Sequence, residues 1–324
     1  MIKKSLRRVV AVAIASFMVC MNAHADTFPS KPIRLIVPYA PGGLPDTVAR
    51  LLGQRLQGPL GQPVYVDNRP GASGTVAASV ILQSPADGYT LLVTDGPMLA
   101  IAPFITRQLN YDAAKDFAPV SLVGKAPLFL AVNKKVSANT LDELIALAKS
   151  KPGSLNYGSS GVGSIHQLTA EAMKEALGLD IAHIPFKGSG ASVPALIAGD
   201  VDMAFASPPS LMGFVHAGQA KLIAVNSAGR SSLAPNVPAL SEGIPGFDFA
   251  FNVVVLAKTG TPREVVERLS QEITKIVRSL DALEPLRVAG VDPVGGTPEE
   301  LAAAMKSENE RITKAARHAG LKPE

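Results

Sequence analysis

The sequence predicts an α/β protein with two sheets, and three observations support this fold class. Apolar segments rich in Val, Ile and Leu recur along the chain and barely alternate with polar residues, which is typical of strands buried on both faces. Segments with helical spacing separate most of them, and this alternation favours parallel sheets covered by helices on both faces. At 324 residues the chain is long enough for more than one core, so two modest sheets fit better than one very large sheet.

Each predicted element has its own local signal. The strands are the apolar runs, and the first helix keeps Val48 and Leu52 at helical spacing. The helix at 164–178 begins with a capping-box pattern of Ser164 and Gln167 and stops at Gly178. Strands are predicted at 33–38, 64–67, 90–94, 128–132, 155–158, 181–185, 201–206, 222–226 and 252–257, and helices at 46–58, 141–149, 164–178, 191–198, 209–217, 262–280 and 297–319.

The chain is expected to form two domains that exchange strands, because no low-complexity linker divides it. One lobe is predicted from residues 26–126 together with 251–324, and the other from residues 127–250. The chain then crosses between the lobes twice, and a pair of crossings is a natural hinge.

Residues 1–25 are predicted to be a secretory signal peptide. Two Lys and two Arg among the first eight residues precede an apolar run at 9–19, which is too short for a membrane span of about 20 residues. Ala23-His24-Ala25 matches a small-x-small cleavage site, so cleavage is expected after Ala25, with the mature chain in the periplasm. Cys20 leaves a lipoprotein anchor open, although Val19 stands where such a site prefers a small residue.

Removal of this leader changes the charge balance. The full chain has 31 Lys and Arg against 27 Asp and Glu, and four of the basic residues and none of the acids lie in residues 1–25. The remainder is formally neutral, so the charge gives no argument for a nucleic-acid partner. The only cysteine, Cys20, also leaves with the leader, which predicts a mature chain without disulfides.

Two glycine-rich turns between a strand and a helix carry the strongest functional signal, one at 38–46 and one at 157–164. A helix start leaves backbone N–H groups without partners beside the positive end of the helix dipole, and glycines let a ligand come close. Such turns bind anions, and two of them predict half-sites that face each other across a cleft. Asp46 is unusual at an anion site, so it either caps its helix or holds a water or a ligand amino group. An ordinary strand-to-helix turn is the alternative at 38–46.

The second turn also permits a nucleotide-binding interpretation. Gly161 and Gly163 followed by His166 fall one glycine short of the dinucleotide fingerprint, and Asp180 follows about 20 residues later, where the ribose contact would lie. A secreted enzyme that uses a nucleotide at 158–164 is therefore the alternative function. Against it, dinucleotide folds usually carry the fingerprint after their first strand.

Catalytic and metal-binding patterns are missing from the sequence. There is no G-x-S-x-G elbow, no Walker A run and no H-E-x-x-H, and the histidines lie in separate elements, so neither a metal nor a cofactor is expected. Ser159, Ser160 and Ser164 lack an evident base and acid and are interpreted as hydrogen-bond donors. His166 is expected in the first turn of a helix, where the dipole disfavours its charged form, either as a neutral ligand partner or in the core.

Several motifs in a fixed order resemble the periplasmic solute-binding proteins of tripartite tricarboxylate transporters, the Bug family. They read PIRLIVPYAPGGLPDTVAR, DNRPGASG, ADGYTLL, YGSSGVGSIHQL, HIPFKG and AGDVDMAF, followed by GTP near residue 260. The resemblance implies a two-lobed periplasmic-binding-protein (Venus-flytrap) fold, class II-like. It also implies a non-enzymatic receptor whose ligand carboxylate is held mainly by backbone amides and waters at Tyr39–Asp46 and Tyr157–Ser164.

This chain departs from the family pattern in places. Phe251-Asn252-Val253 stands where members often carry Trp-x-Gly, and Leu44-Pro45 stands where small polar residues are common. Both differences favour a more apolar pocket.

The function predicted from the sequence is capture of a small organic acid in an interlobe cleft for delivery to membrane transporter subunits. The ligand is expected to be a di- or tricarboxylate, an acidic amino acid or an aromatic carboxylate, and the protein is expected to be a monomer that binds no nucleic acid. A purely structural or adhesive periplasmic protein is a further alternative. The predicted ligand-binding residues are Tyr39, Pro41, Gly42, Gly43, Asp46, Thr94, Asp95, Ser159, Ser160, Gly161, Ser164, His166 and Ser207. Thr94, Asp95 and Ser207 are included because open α/β sheets place ligands at the carboxyl ends of strands.

Overall fold

The computed structural model describes residues 28–323, and these form two sheets with helices on both faces of each. The predicted leader, its cleavage site and Cys20 lie outside the described residues. The strands are β1 Ile33–Val37, β2 Val64–Asn68, β3 Thr90–Asp95, β4 Phe117–Ala126, β5 Phe129–Asn133, β6 Asn156–Ser159, β7 Ala182–Pro185, β8 Met203–Ala206, β9 Ala220–Val225, β10 Phe251–Lys258 and β11 Asp292–Gly296.

Helices connect these strands and cover the sheets. They are α1 Leu44–Leu60, α2 Thr75–Gln83, α3 Gly96–Ile105, α4 Leu141–Ser150, α5 Ile165–Leu177, α6 Ser189–Ala198, α7 Pro208–His216, α8 Arg263–Val277, α9 Leu280–Val288 and α10 Pro298–His318. The first lobe is the six-stranded sheet, in the order β11-β4-β10-β3-β1-β2, with its helices. The second lobe is the five-stranded sheet, in the order β7-β6-β8-β5-β9, with its helices.

The prediction of parallel sheets is correct for only part of each sheet, because both sheets are mixed. β1 pairs in parallel with β2 and β3, but β10 runs antiparallel to β3 and β4. Likewise β6 is parallel to β7 and β8, while β5 is antiparallel to β8 and β9. β5 and β10 each follow a crossing between the lobes. Such a strand enters its sheet at the edge where the parallel strands end, so it runs in the opposite direction to them.

The two crossings meet at Asn226, a fully buried residue just after β9. Its side-chain oxygen accepts a hydrogen bond from the N–H of Leu128 at 2.8 Å, and its side-chain amide donates to the carbonyl of Phe249 at 2.7 Å. Its backbone bonds the same two residues at 3.0 and 2.7 Å. Since Leu128 follows β4 and Phe249 precedes β10, one side chain ties together both segments that join the lobes.

An apolar cluster also links the lobes, and Phe249 of the second crossing packs against it. Ile101 of α3 and Leu168 of α5 are buried with Ile312 and Ala316 of α10. The helix that follows the second glycine-rich turn therefore packs against two helices of the first lobe. Among residues 28–323, none of the helices has the length and apolarity to cross a membrane.

A buried carboxyl group lies between α10 and β10. Glu308 accepts hydrogen bonds from the backbone N–H of Asn252 at 2.9 Å and from its side-chain amide at 3.0 Å. Burial raises the pKa of Glu308 to about 8, and the charge of nearby Asp95 adds to the effect. The folded protein therefore holds a proton on Glu308 that the unfolded chain releases near pH 4.5.

This difference predicts a pH dependence of stability. Between about pH 4.5 and 8 the folded state binds one more proton at Glu308, so this group makes the free energy of unfolding fall as the pH rises, by up to about 1.4 kcal/mol per pH unit. Between about pH 4 and 6.5 the buried His166, whose pKa is lowered to about 4, has the opposite effect, so the contribution of Glu308 is the difference between the slopes of Glu308→Gln and wild type. Below about pH 4.5 and above about pH 8, Glu308 contributes little to the pH dependence of the free energy of unfolding. Glu308→Gln removes the contribution, and urea denaturation at several pH values measures it. The exposed Glu310→Gln is the control and should keep the wild-type slope. Equal slopes for Glu308→Gln and wild type would contradict this assignment.

Candidate ligand-binding cleft

A cavity of about 520 Å³ opens between the two lobes, and both contribute to its walls. From the first lobe it is lined by the loops at 38–40 and 70–74, by one face of α3 and by Phe251. From the second lobe it is lined by the segment at 160–166, where α5 begins. Its volume lies in the range of small-molecule sites, about 300–1,000 Å³. Five of the predicted site residues line it together: Tyr39, Asp95, Ser160, Ser164 and His166.

The first glycine-rich turn is shaped by Asp46, which lies in the first turn of α1. One of its carboxylate oxygens accepts from the N–H of Gly42 at 2.8 Å and from Arg50 at 2.9 Å, and the other accepts from Asn68 at 2.9 Å. Burial alone would raise the pKa of Asp46, but these hydrogen bonds together lower it. The charge is therefore neutralised within the loop, and Asp46 orders this turn without lining the cavity. The cap position of α1 is Gly43, not Asp46.

A second loop of the first lobe, at 70–74 within the DNRPGASG motif, forms another wall of the cavity. Ala72 and Ser73 have positive φ angles of 46° and 51°, which non-glycine residues rarely adopt. Gly74 faces Met98 so closely that a Cβ atom would lie 2.3 Å from its sulfur. Strained backbone of this kind clusters at ligand-binding sites, and here it brings Ser73 to the cavity wall.

The second glycine-rich turn uses most of its own N–H groups. Gly161 donates to the Ser159 hydroxyl at 3.1 Å, and Gly163 donates to the Gln167 side chain at 2.7 Å. Ser164 is the N-cap of α5, as predicted, and accepts from the N–H of Gln167 at 3.3 Å. The N–H groups of the first helical turn, at Ile165 and His166, have no helical partner and can donate to a ligand.

Ser160 and His166 form a polar pair beside that helix start. The hydroxyl oxygen of Ser160 lies 2.7 Å from Nδ1 of His166. Burial lowers the pKa of His166 to about 4, so the imidazole is neutral at pH 7. A neutral imidazole next to a hydroxyl can donate or accept a hydrogen bond without changing the charge of the site. The anion-attracting element is therefore the helix start and not a charged side chain.

The other predicted residues lie outside the cavity lining. Pro41, Gly42 and Gly43 are exposed beside it. Thr94 and Ser159 are fully buried, and Ser159 holds the second turn through Gly161 and Nε2 of His183, the latter at 2.6 Å. Ser207 bonds Ser210 at the start of α7. Contact of the ligand with these residues, and with Asp46 and Gly161, remains a prediction.

The nucleotide arrangement is not formed at the second turn. Asp180 precedes β7 and accepts a backbone hydrogen bond from Gly153, which precedes β6. Because β6 and β7 are parallel, Asp180 lies at the edge of the sheet opposite to the turn at 160–164. It cannot provide the ribose contact that a dinucleotide site needs. Among residues 28–323, no group of three or more His, Cys, Asp or Glu is placed to hold a metal ion.

A larger cavity, of about 680 Å³, lies on the opposite face of α3. Its lining comes from the first lobe alone, mainly from α3, α10 and the segment at 109–119, and includes Tyr111 and Glu308. Of the predicted ligand-binding residues it contains none. A ligand there would not contact the second lobe, so the smaller cavity is the candidate for capture between lobes.

Comparison with known protein families and structures places this geometry in context. The family model described as tripartite tricarboxylate transporter family receptor matches residues 48–321. Protein BugT from Bordetella pertussis is 34% identical over 319 residues, which cover 98% of each chain. A protein in the tcbD-tcbE intergenic region of Pseudomonas sp. (strain P51) is 35% identical, with 95% of this chain and 93% of that protein covered.

Solved structures agree with these matches. A protein from R. palustris solved with adipate is 34% identical and superposes with a TM-score of 0.79, covering 92% of this chain and all of the other. MatC from Rhodopseudomonas palustris, solved with bound malate, is 29% identical with a TM-score of 0.72, covering 89% of this chain and all of the other. The predicted two-lobed periplasmic-binding-protein fold is thereby confirmed.

Proposed function

The chain belongs to the tripartite tricarboxylate transporter receptor family, and we propose that it captures a small organic carboxylate in the cleft between its lobes. It is a solute-binding protein of a transporter family. Under this proposal it acts in the periplasm. Membrane transporter subunits receive the ligand, and the receptor works as a monomer without enzymatic activity. The alternative of a nucleotide-dependent enzyme lacks its acidic ribose contact, because Asp180 lies at the far edge of the sheet.

One observation carries the carboxylate proposal. The first turn of α5 presents free N–H groups and the positive end of a helix dipole to the cavity, with the hydroxyl of Ser160 beside them, while the Ser164 hydroxyl donates to the carbonyl of Gly161. No Asp or Glu of the second lobe lines this cavity among the described residues. An anion at the start of α5 can therefore accept hydrogen bonds and lies in a positive electrostatic potential, as at other helix N-termini.

The position of the site explains why a ligand should close the lobes. Ser160, Ser164 and His166 belong to the second lobe, whereas Tyr39 and the face of α3 belong to the first. A ligand that touches both walls binds the closed arrangement better than the open one, and this difference in affinity drives closure. The structures with adipate and malate show that relatives take dicarboxylic acids, which supports carboxylates as the class to test first.

A thermal-shift screen tests the proposal. The mature chain is heated with adipate, malate, other organic acids, acidic amino acids, NADH and neutral sugars. A ligand present at about 100 times its dissociation constant should stabilise the native state by about 2.7 kcal/mol. We expect at least one carboxylate to raise the melting temperature and NADH to leave it unchanged. A shift with a sugar or NADH, and with no carboxylate, would overturn the proposal.

A further inference from the structure

We infer that the cleft prefers a zwitterionic acid, with its carboxylate at the start of α5, an ammonium group at Asp95 and an apolar body between them. This inference rests on the proposed function and narrows it to one class of carboxylate. It excludes symmetric dicarboxylates as the preferred ligands, because their second carboxylate would face an acidic side chain.

Asp95 is placed to bind a ligand. It ends β3, caps α3 and lines the cavity from the first lobe. One of its oxygens accepts from the N–H of Met98 at 2.9 Å, which fixes the direction of the carboxyl group. A carboxylate has about four acceptor positions on its two oxygens, so Asp95 keeps capacity for a donor from a ligand.

Asp95 has no positively charged partner among the described residues that line the cavity, which include no Lys or Arg. The Tyr39 hydroxyl donates a hydrogen bond to the carboxyl of Asp95, and the carboxyl of Glu308 lies nearby, whereas the Thr94 hydroxyl contacts Tyr39 and the sulfur of Met98. Burial first, and then the negative charge of Asp95, raises the pKa of Tyr39 well above its usual value, so Tyr39 stays neutral. Burial also raises the pKa of Asp95, which is the behaviour of an acid without a nearby cation.

The two ends of the cleft are polar and of opposite sign, whereas its middle is apolar. The second-lobe end carries the positive pole of α5, whereas the first-lobe end carries an acid. The wall between them is apolar and includes Met98, Ile101 and Phe251. An ammonium group at Asp95 would form a charge-assisted hydrogen bond, whereas a carboxylate there would be repelled in a site of reduced dielectric.

Two length-matched pairs of compounds test the inference by calorimetric titration at pH 7. Each pair differs only in the far end: 6-aminohexanoate against adipate, and 4-aminobutanoate against succinate. We expect the amino acid of at least one pair to bind at least about 10-fold more tightly than its diacid. Asp95→Asn keeps an N-cap oxygen for Met98 and should reduce this ratio at least about 10-fold. Asp180→Asn, at the far edge of the sheet, should leave the ratio unchanged.

The outcomes separate this inference from the proposed function. Diacids that bind more tightly than the amino acids in both pairs would overturn the inference and leave carboxylate capture standing. Binding of malate without binding of either amino acid would likewise overturn the inference and leave carboxylate capture standing. An unchanged ratio in Asp95→Asn would also overturn it, because the preference would then come from another group. No binding of any carboxylate would refute the proposed function itself.

Discussion

The Ser164→Asp variant is expected to lose carboxylate binding by at least about 100-fold while it keeps its fold. Ser164 lines the cleft and caps α5 by accepting the N–H of Gln167. Aspartate is among the preferred N-cap residues, so α5 should begin at the same residue. The carbonyl of Gly161 loses the Ser164 hydroxyl but keeps hydrogen bonds from the Ser159 hydroxyl and the Ser164 N–H. The new charge, however, lies where the ligand carboxylate should bind, and repulsion at about 4 Å is worth about 4 kcal/mol at an effective dielectric of about 20.

Ser164→Asn is the matched control for this prediction. Asparagine also caps helices and has nearly the shape of aspartate, but it carries no charge. Calorimetric titration with the tightest carboxylate should therefore show binding within a few-fold of wild type for Ser164→Asn. Thermal denaturation without ligand should show that both variants are folded. Equal affinities of the Asp and Asn variants would mean that the ligand carboxylate binds elsewhere.

The Asn226→Ala variant is expected to show the largest loss of stability. Without the side chain, the N–H of Leu128 and the carbonyl of Phe249 lose their partners at the point where both crossings meet. Leu128 is almost fully buried, so water cannot readily replace the lost bond. An orphaned buried group costs about 1–3 kcal/mol, so urea denaturation should show at least this decrease in the free energy of unfolding from the N–H of Leu128. The carbonyl of Phe249 is only partly buried and should add less.

An exposed asparagine provides the comparison. Asn110 donates a side-chain hydrogen bond to Ser79 at 2.6 Å at the surface. Asn110→Ala should change the free energy of unfolding by no more than about 0.5 kcal/mol. A decrease for Asn226→Ala no larger than this would contradict the role of Asn226 in joining the crossings.

The sequence predicted the fold class because most strands are plain apolar runs, but it missed elements whose signals are atypical. β4 contains Pro119, Gly124 and Lys125, which interrupt its apolar pattern. Gly124 is needed there, because a Cβ atom would lie 2.5 Å from the carbonyl oxygen of Asp292 on β11. The direction of the crossing strands was also missed, since strand direction depends on which edge the chain enters and not on local composition.

The candidate site was predicted only in part, because one of the elements that form it also has an atypical sequence. Glycines and an N-cap identified the start of α5, and the strand-end rule identified Asp95. The segment that forms α3 reads GPMLAIAPFI, which is apolar throughout and has no helical periodicity of polar residues. It is helical because it is buried between the cleft and α10, so Met98 and Ile101 could not be assigned to the cleft from sequence. The expectation of a helix after each parallel strand was the signal that could have found it.

A crystal structure of residues 26–324 with the carboxylate that binds most tightly would locate the bound ligand. We expect the ligand in the cavity between the lobes, with its carboxylate within hydrogen-bond distance of the Ile165 and His166 N–H groups and the Ser160 hydroxyl. Its body should lie against Met98 and Ile101. A ligand in the larger cavity behind α3, or one whose carboxylate contacts only the first lobe, would show that the start of α5 is not the carboxylate site.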